Sequence, residues 1–325
     1  MKTPTIKKID KILGIINTHP EFSQCFLRER KQAILVDSRV HSVNIEGIDK
    51  EEAYVNIKNA EEYFCKYGLN DGTIRSLGKI VEPKKCVYGY RSSRIDPDLS
   101  GQIVDSEFPS DFRVYPPKAV EVPSLIGNLI FYLDNTEDND VLRASQAHLE
   151  FSRIHPYPEG NGRVARLLQN FCLSERGYPA AIIEKDDRGL YRVLIQNALE
   201  ERMLGHSNFF CRGKHEAVFS EFIASKVLSS VKNLEKDLSE NRAYKVHISD
   251  FSDFGFTHSI AKRIRGISRS SKSKGVRVNL NKKSNGEKGV DLMVIGDLSR
   301  NDITKLLEDI HKKNRFHYRV QILGC

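Results

Sequence analysis

His155-Pro156-Tyr157-Pro158-Glu159-Gly160-Asn161-Gly162-Arg163-Val164-Ala165-Arg166 gathers an imidazole, a carboxylate, a two-glycine turn around an asparagine, and two arginines. Val164, Leu167, Leu168, Phe171 and Cys172 follow at helical spacing, so the polar cluster falls where a loop enters a helix. Backbone N–H groups at a helix start, opened by glycines, form a cradle for phosphate oxygens. Arg163 and Arg166 stand three apart, rise from neighbouring positions of that helix, and can grip further phosphates. Glu159, just ahead of the cradle, suits a magnesium ion shared with those phosphates. His155 suits removal of a proton from an incoming hydroxyl. Together these groups equip a nucleotidyl-transfer site. The plainer alternative is a glycine-rich loop before a solvated basic helix face. Four chemically distinct groups in the order a phosphate site needs weigh against it.

The stretch resembles the signature of the Fic family, His-x-Phe-x-(Asp/Glu)-Gly-Asn-Gly-Arg-x-x-Arg, departing only at Tyr157, where the family has Phe. That ring is expected to plug the core beneath the loop. A second stretch, Ser42-Val43-Asn44-Ile45-Glu46-Gly47, is similar to the family's inhibitory-helix motif, (Ser/Thr)-x-x-x-Glu-(Gly/Asn), and places the inhibitory helix at about 38–50. By itself it reads as an amphipathic helix with Gly47 as C-cap. Beside the signature, Glu46 is expected to reach an arginine of the cradle and occupy the place of an ATP γ-phosphate.

The resemblance implies a mainly α fold, a Fic-type helical bundle with a β-hairpin flap. It implies a protein adenylyltransferase that moves AMP from ATP to a Ser, Thr or Tyr hydroxyl, with Mg2+. His155 would be the base and Glu159 the metal ligand. Gly160, Asn161 and Gly162 would stabilise charge, with Arg163 on the β-phosphate and Arg166 on the γ-phosphate. Tyr191 and Asn197, on a helix over 191–202, would wall the adenine pocket, although core packing explains Tyr191 as well. Glycine at 162 favours AMP transfer over phosphorylation, because a bulkier residue crowds the β-phosphate; a phosphotransferase using another nucleotide is the runner-up. With Glu46 positioning water, the same site could remove AMP. His148, seven residues before His155, reads as structural or supporting.

The remaining chain sets the context. Its 325 residues are 39% hydrophobic and 29% charged, an ordinary globular composition with room for a sizeable core and a second small domain. No apolar run approaches the ~18 residues a membrane span needs. The first residues, Met1-Lys2-Thr3-Pro4, show no signal segment, and six scattered cysteines form no Cys-x-x-Cys pair. A reducing cytoplasm is the compartment expected. Residues 241–325 carry 18 Lys/Arg against 8 Asp/Glu, a balance of +10, which leaves −2 for residues 1–240. The basic character therefore belongs to the C-terminal part.

A division at 240 follows. Helices are expected over 6–31, 51–67, 71–81, around Leu125–Leu133, over Ala144–Ile154 and over 216–238. Val87 to Tyr115 changes to short β-prone pieces among turn residues. In the family this region, about 88–115, resembles the flap, where a protein substrate docks by strand addition; self-modification is also plausible. Phe209 and Phe210 resemble a closing aromatic pair. Residues 241–325 read as a small basic α/β module. Its expected pieces are a helix over 260–267, a link over 269–275, strands at 276–280 and 289–295 about an Asn285-Gly286 turn, a helix over 302–312 capped by Ser299, and a strand over 317–323. Its charge leaves a nucleic-acid-binding regulator open as an alternative function, although an acidic partner explains it equally well.

Overall fold

The computed structural model describes residues 3–18, 24–46, 50–91, 116–206, 212–240, 242–249, 277–282, 289–296, 301, 304–305, 308 and 319–324. The helices among them are α1 (Pro4–Thr18), α2 (Gln24–Glu46), α3 (Lys50–Tyr67), α4 (Asp71–Val81), α5 (Val122–Asn135), α6 (Asp140–Ile154), α7 (Asn161–Glu175), α8 (Arg188–Met203) and α9 (Lys214–Glu240). The chain divides into two compact units, one of residues 1–10 and 31–231, the other of 11–30 and 232–325. The flap region from 92 to 115, Phe209, Phe210, and the expected pieces at 260–267, 269–275, Asn285-Gly286 and Ser299 lie outside the described residues.

The first unit is mainly helical and is built around α6. Every residue of α6 is buried except Asp140 and Arg153, as expected of a helix with neighbours on all sides. Its start is fixed by Asn139, whose Oδ1 accepts from Val141 N at 3.0 Å. Its buried charges are all partnered. Arg143 Nε donates to Leu133 O at 2.8 Å, and Glu150 accepts from Arg153 and from Arg202 Nη1 at 2.6 Å. Arg202 in turn binds Glu216 at 2.7 Å. Charges buried in this way are stable only while the network is complete.

α4 shows how sequence places the loop. Asn70 caps it, accepting from Thr73 N at 2.8 Å, and Ile74, Leu77, Gly78 and Val81 form its buried stripe. Gly78 is part of that stripe because the fully buried Tyr157 ring lies against it. A Cβ at position 78 would meet ring atoms at 2.6 and 2.7 Å, and Tyr157 Oη donates to Ile74 O. Gly78→Ala gains about 1 kcal/mol of helix propensity. Forcing a methyl into a packed ring costs about 1–3 kcal/mol. The expected result in denaturant unfolding is a net loss. Gly127→Ala is the control, since position 127 is exposed and nothing lies within 4 Å of its added Cβ; it should gain about 0.5–1 kcal/mol. Wild-type stability in Gly78→Ala would contradict the packing.

In the second unit, β1 (Arg242–Ser249), β2 (Arg277–Lys282), β3 (Gly289–Gly296) and β4 (Arg319–Gly324) form an antiparallel sheet in the order β2-β3-β1-β4. Leu280 pairs with Leu292, and Val246 with both Leu292 and Ile322. Positions 301, 304, 305 and 308 are helical. The spans of β2, β3 and β4 lie within two residues of the expected strands, whereas β1 was not expected. Its signal was present: Tyr244, Val246 and Ile248 alternate with Lys245, His247 and Ser249.

Candidate active site

The loop between α6 and α7 is clamped from both sides. α6 ends because His155 turns left-handed, at φ +48°, immediately before Pro156. A β-carbon disfavours that conformation, so the surroundings must hold it. Arg91 supplies the hold: its Nε donates to His155 O at 2.8 Å, its Nη2 to Ile154 O at 3.3 Å, and its backbone N to Pro156 O at 2.8 Å. At the far end Gly160 adopts φ +84°, and α7 begins with no side-chain cap. The first N–H groups of α7 therefore remain available to an anion.

Asn161 keeps its side chain within the loop. Its Oδ1 accepts from Tyr157 N and its Nδ2 donates to Tyr157 O, each at 2.9 Å. Its visible work is to brace the turn. Arg163 and Arg166 are 3% and 5% exposed, which sets aside the solvated basic face. Arg163 points back to the end of α4, donating from Nη2 to Glu82 Oε1 at 2.5 Å and from Nη1 to Val81 O at 3.4 Å. Arg166 turns the other way. Nε donates to Ser42 Oγ at 2.8 Å, and Nη2 to Ser42 O at 3.2 Å and to Glu46 Oε1 at 2.5 Å.

Glu46, the last residue of α2, sits directly over the cradle. A Cβ on Gly162 would lie 2.7 Å from Glu46 Oε1. Burial alone would raise the Glu46 pKa, but the Arg166 charge and hydrogen bond overrule it, and the carboxyl stays below its usual range. Glu46 and Arg166 thus form a charge-assisted pair at the start of α7.

Burial, then the Arg91 charge, push the His155 imidazole down to about 4, and the charges of Glu159 and Glu46 only partly oppose this. The ring is therefore neutral at pH 7 and can accept a proton. Glu159 is half exposed; its Oε2 pairs with Lys85 Nζ at 3.0 Å, and its backbone O accepts from Cys86 Sγ at 3.4 Å. Among the described residues no group of three His, Cys, Asp or Glu could hold a metal by itself.

The structure thus assembles His155, Glu159, Gly160, Asn161, Gly162, Arg166 and Glu46 around one helix start. Tyr191 is buried behind Arg166, with its Oη 2.9 Å from His148 Nε2 and 3.5 Å from Arg166 Nη1. It backs the arginine from the core. Asn197 lies half-buried six residues, about 9 Å, further along α8. Glu82, Lys85 and the clamping role of Arg91 were not expected. Each is a charge in the segment that follows α4, and sequence gives no sign of which distant group it meets.

His148 is fully buried, and burial moves it from 6.5 to about 3. The unfolded chain takes up a proton below pH 6.5 that the folded ring refuses, so stability falls as the pH drops from 6.5 towards 3. One such group contributes a slope of ~1.4 kcal/mol per pH unit within that window. Urea unfolding between pH 6.5 and 5, above most carboxylate titration, should show a slope that His148→Gln reduces by that amount. An unchanged slope in the variant would contradict the assignment.

Residues 88–173 match the Fic/DOC family. The chain is 29% identical over 219 residues to protein adenylyltransferase Fic of Aedes aegypti, covering 60% of this chain and 43% of that protein. It is 30% identical over 132 residues to a probable protein adenylyltransferase of Aquifex aeolicus, covering 36% and 41%. The chain therefore spans less than half the length of these curated relatives. Among solved structures, a Fic-domain-containing signaling protein from Bacteroides thetaiotaomicron superposes with a TM-score of 0.55 at 18% identity, covering 69% of this chain and 95% of that one. A Fic family protein from Desulfovibrio desulfuricans gives 0.53 at 18%, covering 97% and 88%. These likenesses show a Fic-like, mainly helical fold. Among the described residues no helix is long and apolar enough to cross a membrane.

Proposed function

We propose, for a chain that carries a Fic/DOC-family domain over residues 88–173, that it is a protein adenylyltransferase restrained by its own Glu46. One observation carries the reading: a carboxylate is seated on Arg166, over Gly162, at a helix start with no side-chain cap. The cleft already binds an anion where a nucleotide's terminal phosphate would lie. The names of the relatives support AMP as the transferred group.

In the reaction, neutral His155 takes the proton of a Ser, Thr or Tyr hydroxyl. The hydroxyl oxygen attacks the α-phosphorus, the P–O bond to the β-phosphate breaks, and pyrophosphate leaves. Gly160 and Gly162 let the backbone N–H groups of α7 approach the developing charge, and Asn161 holds the turn in that shape. Arg166 takes the γ-phosphate when Glu46 leaves. Arg163 adds positive charge to the cradle; direct contact with the β-phosphate requires exchanging Glu82 for a phosphate oxygen. A substrate segment adds to the flap region at about 88–115 as a strand, and self-modification uses the same route. The strands β1–β4 and the helical positions 301, 304, 305 and 308 belong to a basic α/β module.

One half-exposed carboxylate fits a magnesium ion, which usually takes only one or two carboxylates together with substrate phosphates. Glu159 would hold it, exchanging the Lys85 ammonium for the ion. When bound, magnesium screens the α- and β-phosphate charge. Glu159→Ala is expected to lose activity that extra magnesium restores only partly. Full activity of the wild type in a chelator would overturn this.

The function is tested by incubating the full chain with ATP and cell lysate, then reading labelled proteins by mass spectrometry. The expected product is a protein hydroxyl carrying AMP. Nucleotide turnover with no modified protein, the chain itself included, would contradict the reading.

A further inference from the structure

A buried chain of hydrogen bonds behind the cleft has only one consistent direction. It starts at an unambiguous donor, the backbone N–H of Ala181, which is 3.0 Å from Asn170 Oδ1. That contact fixes the Asn170 amide, because only its oxygen can accept. Gln169 Nε2 donates to the same oxygen at 3.4 Å, which turns Gln169 Oε1 towards His148 Nδ1 at 2.7 Å. A carbonyl oxygen only accepts, so Nδ1 of the neutral ring carries the proton and Nε2 keeps its lone pair. Tyr191 Oη, 2.9 Å from Nε2, must then donate its proton to the histidine. The lone pairs of that hydroxyl are left for Arg166 Nη1 at 3.5 Å. His148 and Gln169 are fully buried and Tyr191 is 5% exposed, so water does not compete for these groups.

We propose that His148 and Tyr191 are positioning residues: the fixed tautomer of His148 orients the Tyr191 hydroxyl as an acceptor, which holds Arg166 in place for a terminal phosphate. The reaction leaves His148 without another task. Ser42 grips the Nε edge of the same guanidinium, so Tyr191 and Ser42 hold it on two sides once Glu46 has gone. A positively charged or reversed histidine would donate from Nε2 to Tyr191 Oη, occupy one of its lone pairs and turn its O–H away from the ring.

The inference rests on the functional reading, so it is tested by two measurements that fail separately. The first compares ATP with ADP binding by calorimetry in the Glu46→Gly chain. Tyr191→Phe should weaken ATP by about three- to tenfold, the net worth of one ordinary hydrogen bond, and leave ADP unchanged. His148→Phe should act alike, and His148→Gln, which keeps an acceptor near Nε2, should recover most of the loss. Parallel losses for ATP and ADP, or no change in ATP, would overturn the proposal. The second uses no nucleotide: the nitrogen shifts of His148 by NMR should report a proton on Nδ1 and a bare Nε2. The opposite tautomer would overturn the relay even if ATP binds. Failure of both nucleotides to bind the Glu46→Gly parent would instead remove the functional reading and leave the tautomer result standing. Should His148→Phe fail to fold, Tyr191→Phe and the tautomer decide.

Discussion

Glu46→Gly is expected to raise AMP transfer and self-modification by about ten- to a hundredfold. Glu46 Oε1 lies 2.5 Å from Arg166 Nη2 and projects over Gly162, so it takes both the partner and the space of a γ-phosphate. A hydrogen bond between charged groups contributes about 1.5–3 kcal/mol, and each 1.4 kcal/mol is a factor of ten in occupancy. Removing the carboxylate returns that factor to productive ATP binding. Any AMP-removing activity that uses Glu46 to position water should fall in the same variant. Arg166→Ala should not mimic the release, since the phosphate grip goes with the brake. Equal transfer rates for wild type and Glu46→Gly over a range of ATP concentrations would reduce the 42–47 motif to a helix end.

His155→Ala should lose transfer by about 10²- to 10⁴-fold, the usual worth of a positioned general base, while ATP still binds. The imidazole is held neutral by burial and by Arg91, so at pH 7 nearly every molecule carries a competent base. Binding should survive because the proposed phosphate grip comes from α7 and Arg166, not from His155. Transfer at the wild-type rate in this variant would remove His155 from the mechanism.

Much of this site was legible because it is local. Residues 155–166 carry their own turn glycines, helix periodicity and charges, so spacing alone placed them at a helix start. Glu46 is more than a hundred residues away, and it was linked to Arg166 only through the family's second motif. The partners that shape the loop were not legible. Glu82 on Arg163, Arg91 on the carbonyls ending α6, and Lys85 on Glu159 are long-range pairings of ordinary surface residue types. Asn161 is instructive in a different way. Its position in the motif suggests a phosphate contact, but the backbone of Tyr157 already engages both ends of its amide. Tyr191 gave no sign of its direction, since a tyrosine on an amphipathic helix serves a pocket or a core equally well. β1 was legible in principle, since Tyr244, Val246 and Ile248 alternate with Lys245, His247 and Ser249.

Side-by-side incubation of the Glu46→Gly chain with α-labelled and γ-labelled ATP decides between AMP transfer and phosphorylation at this site. Label entering protein from the α position alone, and lost when His155→Ala is added, is the result expected. Label entering from the γ position would instead make the chain a kinase.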